Sequence, residues 1–299
     1  MTEALRPADT VELAVLERSG MIESRHRGVA AVVTWDGTIV AEHGDIDSLV
    51  YPRSTLKFVQ AIALLRAGVE LDGVELVLAA ASHTGTPEHV RVVRSILDRA
   101  GLADDALQCP ADWPGDKDAR READAPHRIT MNCSGKHAAF LLACVTNGWP
   151  VETYLEPWHP LQEHIKRTVE QYTGEGVEHT GVDGCGAPLH AVTLRGLATA
   201  VARVAGGTTD EAARLASAIR AHPWALDTAS TARLITDLGL LAKNGAEGVF
   251  VAGTPSGTAV ALKIIDGSTR ASIPVGLSLL GGYLDAAAVA AVLADTTEK

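Results

Sequence analysis

The chain has 299 residues, enough for one large domain or two small ones with a substantial core. Hydrophobic residues make up 46% of it and charged residues 21%, an ordinary soluble balance with no apolar run of membrane-spanning length. A net charge of −11 argues against nucleic-acid binding.

Met1 to Thr10 is polar and lacks the apolar core of a signal peptide, so a cytoplasmic protein is expected. In a reducing compartment the four cysteines Cys109, Cys133, Cys144 and Cys185 point to thiols or metal ligation and not to a disulfide framework.

Residues 11–34 read as strands, with a β-branched run from Val29 to Trp35 and a hairpin signal at Asp36-Gly37. Pro52 keeps the chain extended at Tyr51, and apolar residues at helical spacing predict a helix from Ser54 to about Ala67. Further helices are expected over 72–81 and over 87–100, where Pro87 suits a first turn. Residues 104–128 are rich in Asp, Arg and Pro and read as a surface excursion. A helix then follows Asn132-Cys133-Ser134-Gly135-Lys136-His137, and others are expected over 160–172, 187–204, 209–221 and 228–242. Strands return over 248–253 and 258–265, followed by an apolar segment and an alanine-rich terminal helix.

Strands at both ends with helices between them suggest an α/β (α+β) unit. In it, one antiparallel sheet (about 1–50 and 245–299) joins a mainly helical part (about 51–244), with a crevice between them for a ligand.

Several stretches could carry chemistry. Ser54 and Lys57, three apart, share one face of a first helical turn, where an alkoxide would meet the positive helix end. Alone, a tetrapeptide this short occurs by chance in many proteins and reads first as an N-cap serine followed by a surface lysine. Ser82, in Ala81-Ser82-His83-Thr84-Gly85, could relay a proton or simply belong to a helix C-terminal turn. Cys133, Lys136 and Cys185 could hold a metal, or Cys133 could be a thiolate beside a cation. Lys263 sits within a strand and could face solvent or a crevice. Glu247 lies in a glycine-flanked turn.

In their order along the chain, these stretches resemble the Rhizobium etli-type (class 3) L-asparaginases of the asparaginase II family. The resemblance rests on Met21 to Gly28, Pro52-Arg53-Ser54-Thr55-Leu56-Lys57 and Ser82-His83-Thr84-Gly85-Thr86-Pro87-Glu88-His89. It continues in Asn132 to His137, Asp183-Gly184-Cys185-Gly186-Ala187-Pro188 and Gly245-Ala246-Glu247-Gly248. It implies a serine β-lactamase/glutaminase-like fold, a homodimer, and hydrolysis of L-asparagine to L-aspartate and ammonia. Ser54 would be the nucleophile, Lys57 its base, and Ser82 with a lysine the rest of the relay. Lys263 would match the lysine of the β-lactamase K-T-G motif. Cys133, Lys136 and Cys185 would bind zinc, with lysine a neutral ligand. Arg53, His83, Asp183 and Glu247 would bind substrate, Asp183 through the α-amino group. A glutaminase or broader amidase on the same fold is the nearest alternative, since one methylene is worth only about 1–3 kcal/mol of discrimination. A zinc-containing amino-acid-binding protein without turnover is a further one.

Overall fold

The structure, a computed structural model, describes residues 5–297. A short 3-10 turn precedes β1 (Val11–Arg18), β2 (Met21–Thr34) and β3 (Ile39–His43), and the two-residue strand β4 (Leu49–Val50) leads into a 3-10 turn, Arg53–Leu56. The helices α1 (Lys57–Arg66), α2 (Gly73–Ala79), α3 (Pro87–Ala100), α4 (Lys117–Glu122), α5 (Ser134–Asn147) and α6 (Pro160–Thr173) follow. Three short strands, β5 (Thr180–Val182), β6 (Pro188–His190) and β7 (Val192–Thr193), precede α7 (Leu194–Ala205), α8 (Asp210–Ala221) and α9 (Ala229–Leu238). The chain closes with β8 (Leu241–Gly245), β9 (Val249–Gly253), β10 (Thr258–Ile264), α10 (Ser272–Leu280) and α11 (Ala286–Thr297).

The strands from the two ends meet in one antiparallel sheet, in the order β1-β2-β10-β9-β8, with β3 also on β2. The long strand β2 joins them: its first half pairs with β1 and its second with β10. Side chains alternate across a sheet, and both faces are apolar here. Val29, Ala31, Val33, Ala259, Ala261, Val249, Val251 and Leu241 join the core shared with α7 and the helical region. Ala30, Val32, Phe250, Ala252, Val260 and Leu262 face the opposite way, toward α9 and α10.

On the helical side, α1 is buried at every residue from Lys57 to Leu65. Such all-round burial marks a central helix, and α1 contacts α2, α5, α6, α7 and α8.

Three sequence expectations are corrected. The helix begun at Ser54 opens as a 3-10 turn and becomes α-helical only at Lys57. The stretch 187–193 is largely extended, because β6 pairs with β5 and β7 with β4, so α7 starts at Leu194. The helix expected over 228–242 stops at Leu238. Gly239 there is left-handed (φ 67°), a conformation glycine adopts without a Cβ clash. Residues 241–245 are instead the edge strand of the sheet. In the 104–128 excursion, α4 and an isolated bridge between Asp112 and His127 are the ordered parts.

Candidate active site

The turn Arg53–Leu56 brings Ser54 to the junction of sheet and helices. Consecutive 3-10 turns eclipse residues i and i+3, so Ser54 stands over Lys57, whose backbone N–H donates to the Ser54 carbonyl. Backbone N–H groups at such a start have no intrahelical partner. Arg53 has φ +52°, rare for a long side chain and a mark of local strain. Its guanidinium is fixed by a 2.8 Å bond to Asp183 Oδ1. The edge strand closes on the same turn. A Cβ on Gly245 would lie 3.0 Å from the Pro52 carbonyl oxygen and 3.2 Å from Thr55 Cγ2, so only glycine lets β8 pack this tightly.

Lys57 is buried, and its amine reaches three partners: the Ala81 carbonyl at 2.6 Å, Ser82 Oγ at 3.0 Å and Cys133 Sγ at 3.0 Å. None of these is Ser54. A neutral amine in this place keeps two N–H donors and offers its lone pair to a hydroxyl or thiol proton. Ser54 and Ser82 are both half-buried.

A second lysine reaches the same place. Lys243 is fully buried on β8, on the sheet face that carries Leu241 toward the helices. Its amine lies 3.5 Å from the Leu226 carbonyl, which also accepts the Ser82 N–H at 2.8 Å. Asp227 Oδ2 is 3.7 Å away. Burial drives the Lys243 amine down to about 8, the Asp227 carboxylate opposing and Lys57 assisting.

The two cysteines complete the cluster. Lys136 donates to Cys185 Sγ at 3.2 Å. The thiols of Cys133 and Cys185 act on each other, which pushes Cys133 up and Cys185 down. Burial works against charge on Lys136, but Cys185 and Cys133 outweigh it and hold the amine protonated.

The family model described as L-asparaginase II matches residues 14–298. The chain belongs to the L-asparaginase II family. No curated protein matches it. Among solved structures, Mglu in its glutamate form is similar at 14% identity and a TM-score of 0.52, over 86% of this chain and 61% of that one. Mglu in its native form gives 14% and 0.50, over 93% and 68%. A Bacillus glutaminase in 4.3 M NaCl gives 13% and 0.49, over 86% and 90%. The chain thus spans 61% of the Mglu chain in the first comparison. The likeness to Mglu establishes the fold.

In this L-asparaginase II chain the Lys263 amine and the His83 ring are engaged by partners other than Ser54 and Ser82. Lys263 also points to the helical side of the sheet, and its amine is bound to the Glu247 and Ile264 carbonyls at 2.5 and 2.7 Å. Lys243-Asn244-Gly245, on the edge strand, has the lysine-x-glycine spacing of a K-T-G motif. The sequence signal was there, a lysine two residues before a glycine, but the helical reading of 228–242 ran almost to Lys243 and hid it. His83 is buried and faces no open space. Its Nδ1 accepts the Gly85 N–H at 3.1 Å and its Nε2 lies 2.9 Å from Ser134 Oγ. Because Ser134 donates to the Ile129 carbonyl, His83 is the donor to it and is neutral. Burial, then His89, Lys57 and Lys243, push it well down. Glu247 is exposed, in a left-handed turn of φ +62°.

The family resemblance implies zinc on Cys133, Lys136 and Cys185. Among the described residues no group of three or more His, Cys, Asp or Glu is arranged for a metal, so lysine is required as a donor. Tetrahedral zinc separates S and N ligands by about 3.6 Å, given its bond lengths. The observed 3.2 Å between Lys136 and Cys185 is compatible with that, and the buried His137 Nε2 has no hydrogen-bond partner. The donor set fits the ion.

Proposed function

We propose that the chain is an L-asparagine amidohydrolase of the Rhizobium etli type, releasing L-aspartate and ammonia through an acyl-enzyme on Ser54. The observation that carries this reading is the convergence of Lys57, Ser82 and Lys243 beside the turn that bears Ser54. Membership of the L-asparaginase II family supports it.

Ser54 attacks the side-chain amide carbon as Lys57 takes its proton. Backbone N–H groups at the start of the turn, including that of Ser54, receive the developing oxyanion. The proton travels from Lys57 to Ser82, whose hydroxyl hands it to the leaving ammonia, with the neutral Lys243 amine able to hold that same proton in transit. Water then cleaves the ester by the reverse proton path. Arg53 and Asp183 offer one charge of each sign to the carboxylate and ammonium of an α-amino acid. Zinc on Cys133, Lys136 and Cys185 would supply positive charge for orienting substrate. In the family the assembly implied is a homodimer, and a cytoplasmic location accords with the absence, among described residues, of any helix long and apolar enough to cross a membrane.

Glutamine is the second substrate to consider, because Mglu, solved in its glutamate form, has a similar fold. Ammonia release from L-asparagine and L-glutamine, with Ser54→Ala as control, tests the reading. Faster release from glutamine would make the chain a glutaminase. Zinc and amino-acid binding with no release from either amide would replace the hydrolase with a binding protein.

A further inference from the structure

We propose that Asp227 is a positioning residue that sets the protonation of Lys243 for proton transfer. The inference rests on the reading of Lys243 as part of the relay.

Lys243 is wholly buried, and burial alone would drive an ammonium there to give up its proton. Asp227 supplies a carboxylate against it. Asp227 lies just before α9 and is itself buried, and its Oδ2 is 3.7 Å from the Lys243 amine. The same oxygen accepts the Asn244 backbone N–H at 3.1 Å, so the carboxylate is clamped to the strand that carries the lysine. Carboxylate and amine therefore move as one piece.

The other titratable groups that act on Lys243 are Lys57 from α1, Cys133 at the start of α5, and His83 after α2. Lys57 opposes its charge, Cys133 favours it, and His83 is neutral. The neighbouring strand β9 (Val-Phe-Val-Ala-Gly) contributes no titratable side chain. On the other packed elements, Arg53 is bound to Asp183, Arg220 to the Gly239 and Ala205 carbonyls, and Arg233 to Asp237. Asp227 is thus the counter-charge that holds the Lys243 midpoint up against burial. With the carboxylate gone, the midpoint falls and a smaller fraction of the amine carries a proton at any given pH.

Two readouts test this. The chain has seven lysines, few enough to follow by NMR with 13C at Cε, the Lys243 signal being assigned by its loss in Lys243→Arg. In Asp227→Asn the Lys243 midpoint should fall by about one unit, the scale of losing an opposite charge at this range, and in Asp227→Glu it should stay near the wild-type value. The acid limb of kcat/KM for ammonia release should move the same way. A folded Asp227→Asn enzyme with an unmoved Lys243 midpoint overturns the proposal. Asp227→Ser serves if the asparagine variant does not fold. Failure of both to fold would make Asp227 purely structural and overturn it too. If the wild-type chain releases no ammonia, the hydrolase reading falls, while the lysine titration still reports on Asp227.

Discussion

Lys57 and Ser82, 25 positions apart in the chain, meet at 3.0 Å in the buried core of the site. The lysine of the Ser54-Thr55-Leu56-Lys57 turn is therefore bound by its amine to the second serine, and to the first only through its backbone N–H. In the proposed mechanism a proton taken from Ser54 then has a next stop at Ser82, so that one serine attacks and the other carries.

Ser54→Ala should reduce ammonia release by roughly 10⁴-fold or more, as expected for removing a nucleophile. Ser82→Ala should cost about 10²- to 10⁴-fold, the range of a general acid–base group. Initial rates on L-asparagine measure both. Equal, small losses in the two variants would point to a different nucleophile.

The two candidate lysines should separate cleanly. Lys243→Met should lower kcat/KM by about 10²- to 10⁴-fold, whereas Lys263→Met, which loses only two carbonyl contacts, should change it by less than about tenfold. A reversed order would restore the relay role to Lys263.

The pH dependence follows from the same amine. Burial lowers Lys243 to about 8, so its neutral form grows as pH rises through that value, and kcat/KM should climb with it. Stability moves in the same direction. The folded chain binds fewer protons than the unfolded one between about 8 and the unperturbed lysine value of roughly 10.4. The penalty is full below that window and fades as pH rises through it. Replacing Lys243 by Met should remove this part of the pH dependence, which parallel pH–rate and urea titrations would reveal.

Gly245→Ala forces a Cβ to 3.0 Å from the Pro52 carbonyl. The clash should push the edge strand off the Ser54 turn, costing about 1–3 kcal/mol as overpacking does, and should reduce turnover more than binding. A variant with wild-type melting temperature and kcat would show that the contact relaxes without disturbing the nucleophile.

His83→Asn should act on stability. Losing the bond to Ser134 and leaving the Gly85 N–H short of a partner should destabilise by about 1–3 kcal/mol, with KM for asparagine nearly unchanged. A large rise in KM at unchanged stability would return His83 to the substrate. For the metal, elemental analysis should find about one zinc per chain, bound tetrahedrally, and little in Cys185→Ser. Zinc-free wild-type protein with full activity would remove the ion from the scheme.

Much of this molecule is written locally. The β-branched run of β2, Pro87 opening α3 and the strands at both ends are short-range patterns, and they sufficed for the layout of sheet and helices. Ser54, Lys57, Ser82, Cys133, Lys136 and Cys185 were visible as residue types at meaningful spacings, given the family order of their motifs. Which lysine meets the serines was not visible. Lys243 and Lys263 project to the same sheet face, and each is a lysine in an apolar run. The difference lies in strand position: β8 is the edge that packs on the Ser54 turn, while the Lys263 amine is capped by carbonyls at the end of β10. Asp227 was equally silent, being one acidic residue before a helix until folding set it against a buried amine. Periodicity records which way a side chain points from its own backbone. Only long-range packing decides what it meets there, because burial and counter-charge come from segments far away in the chain.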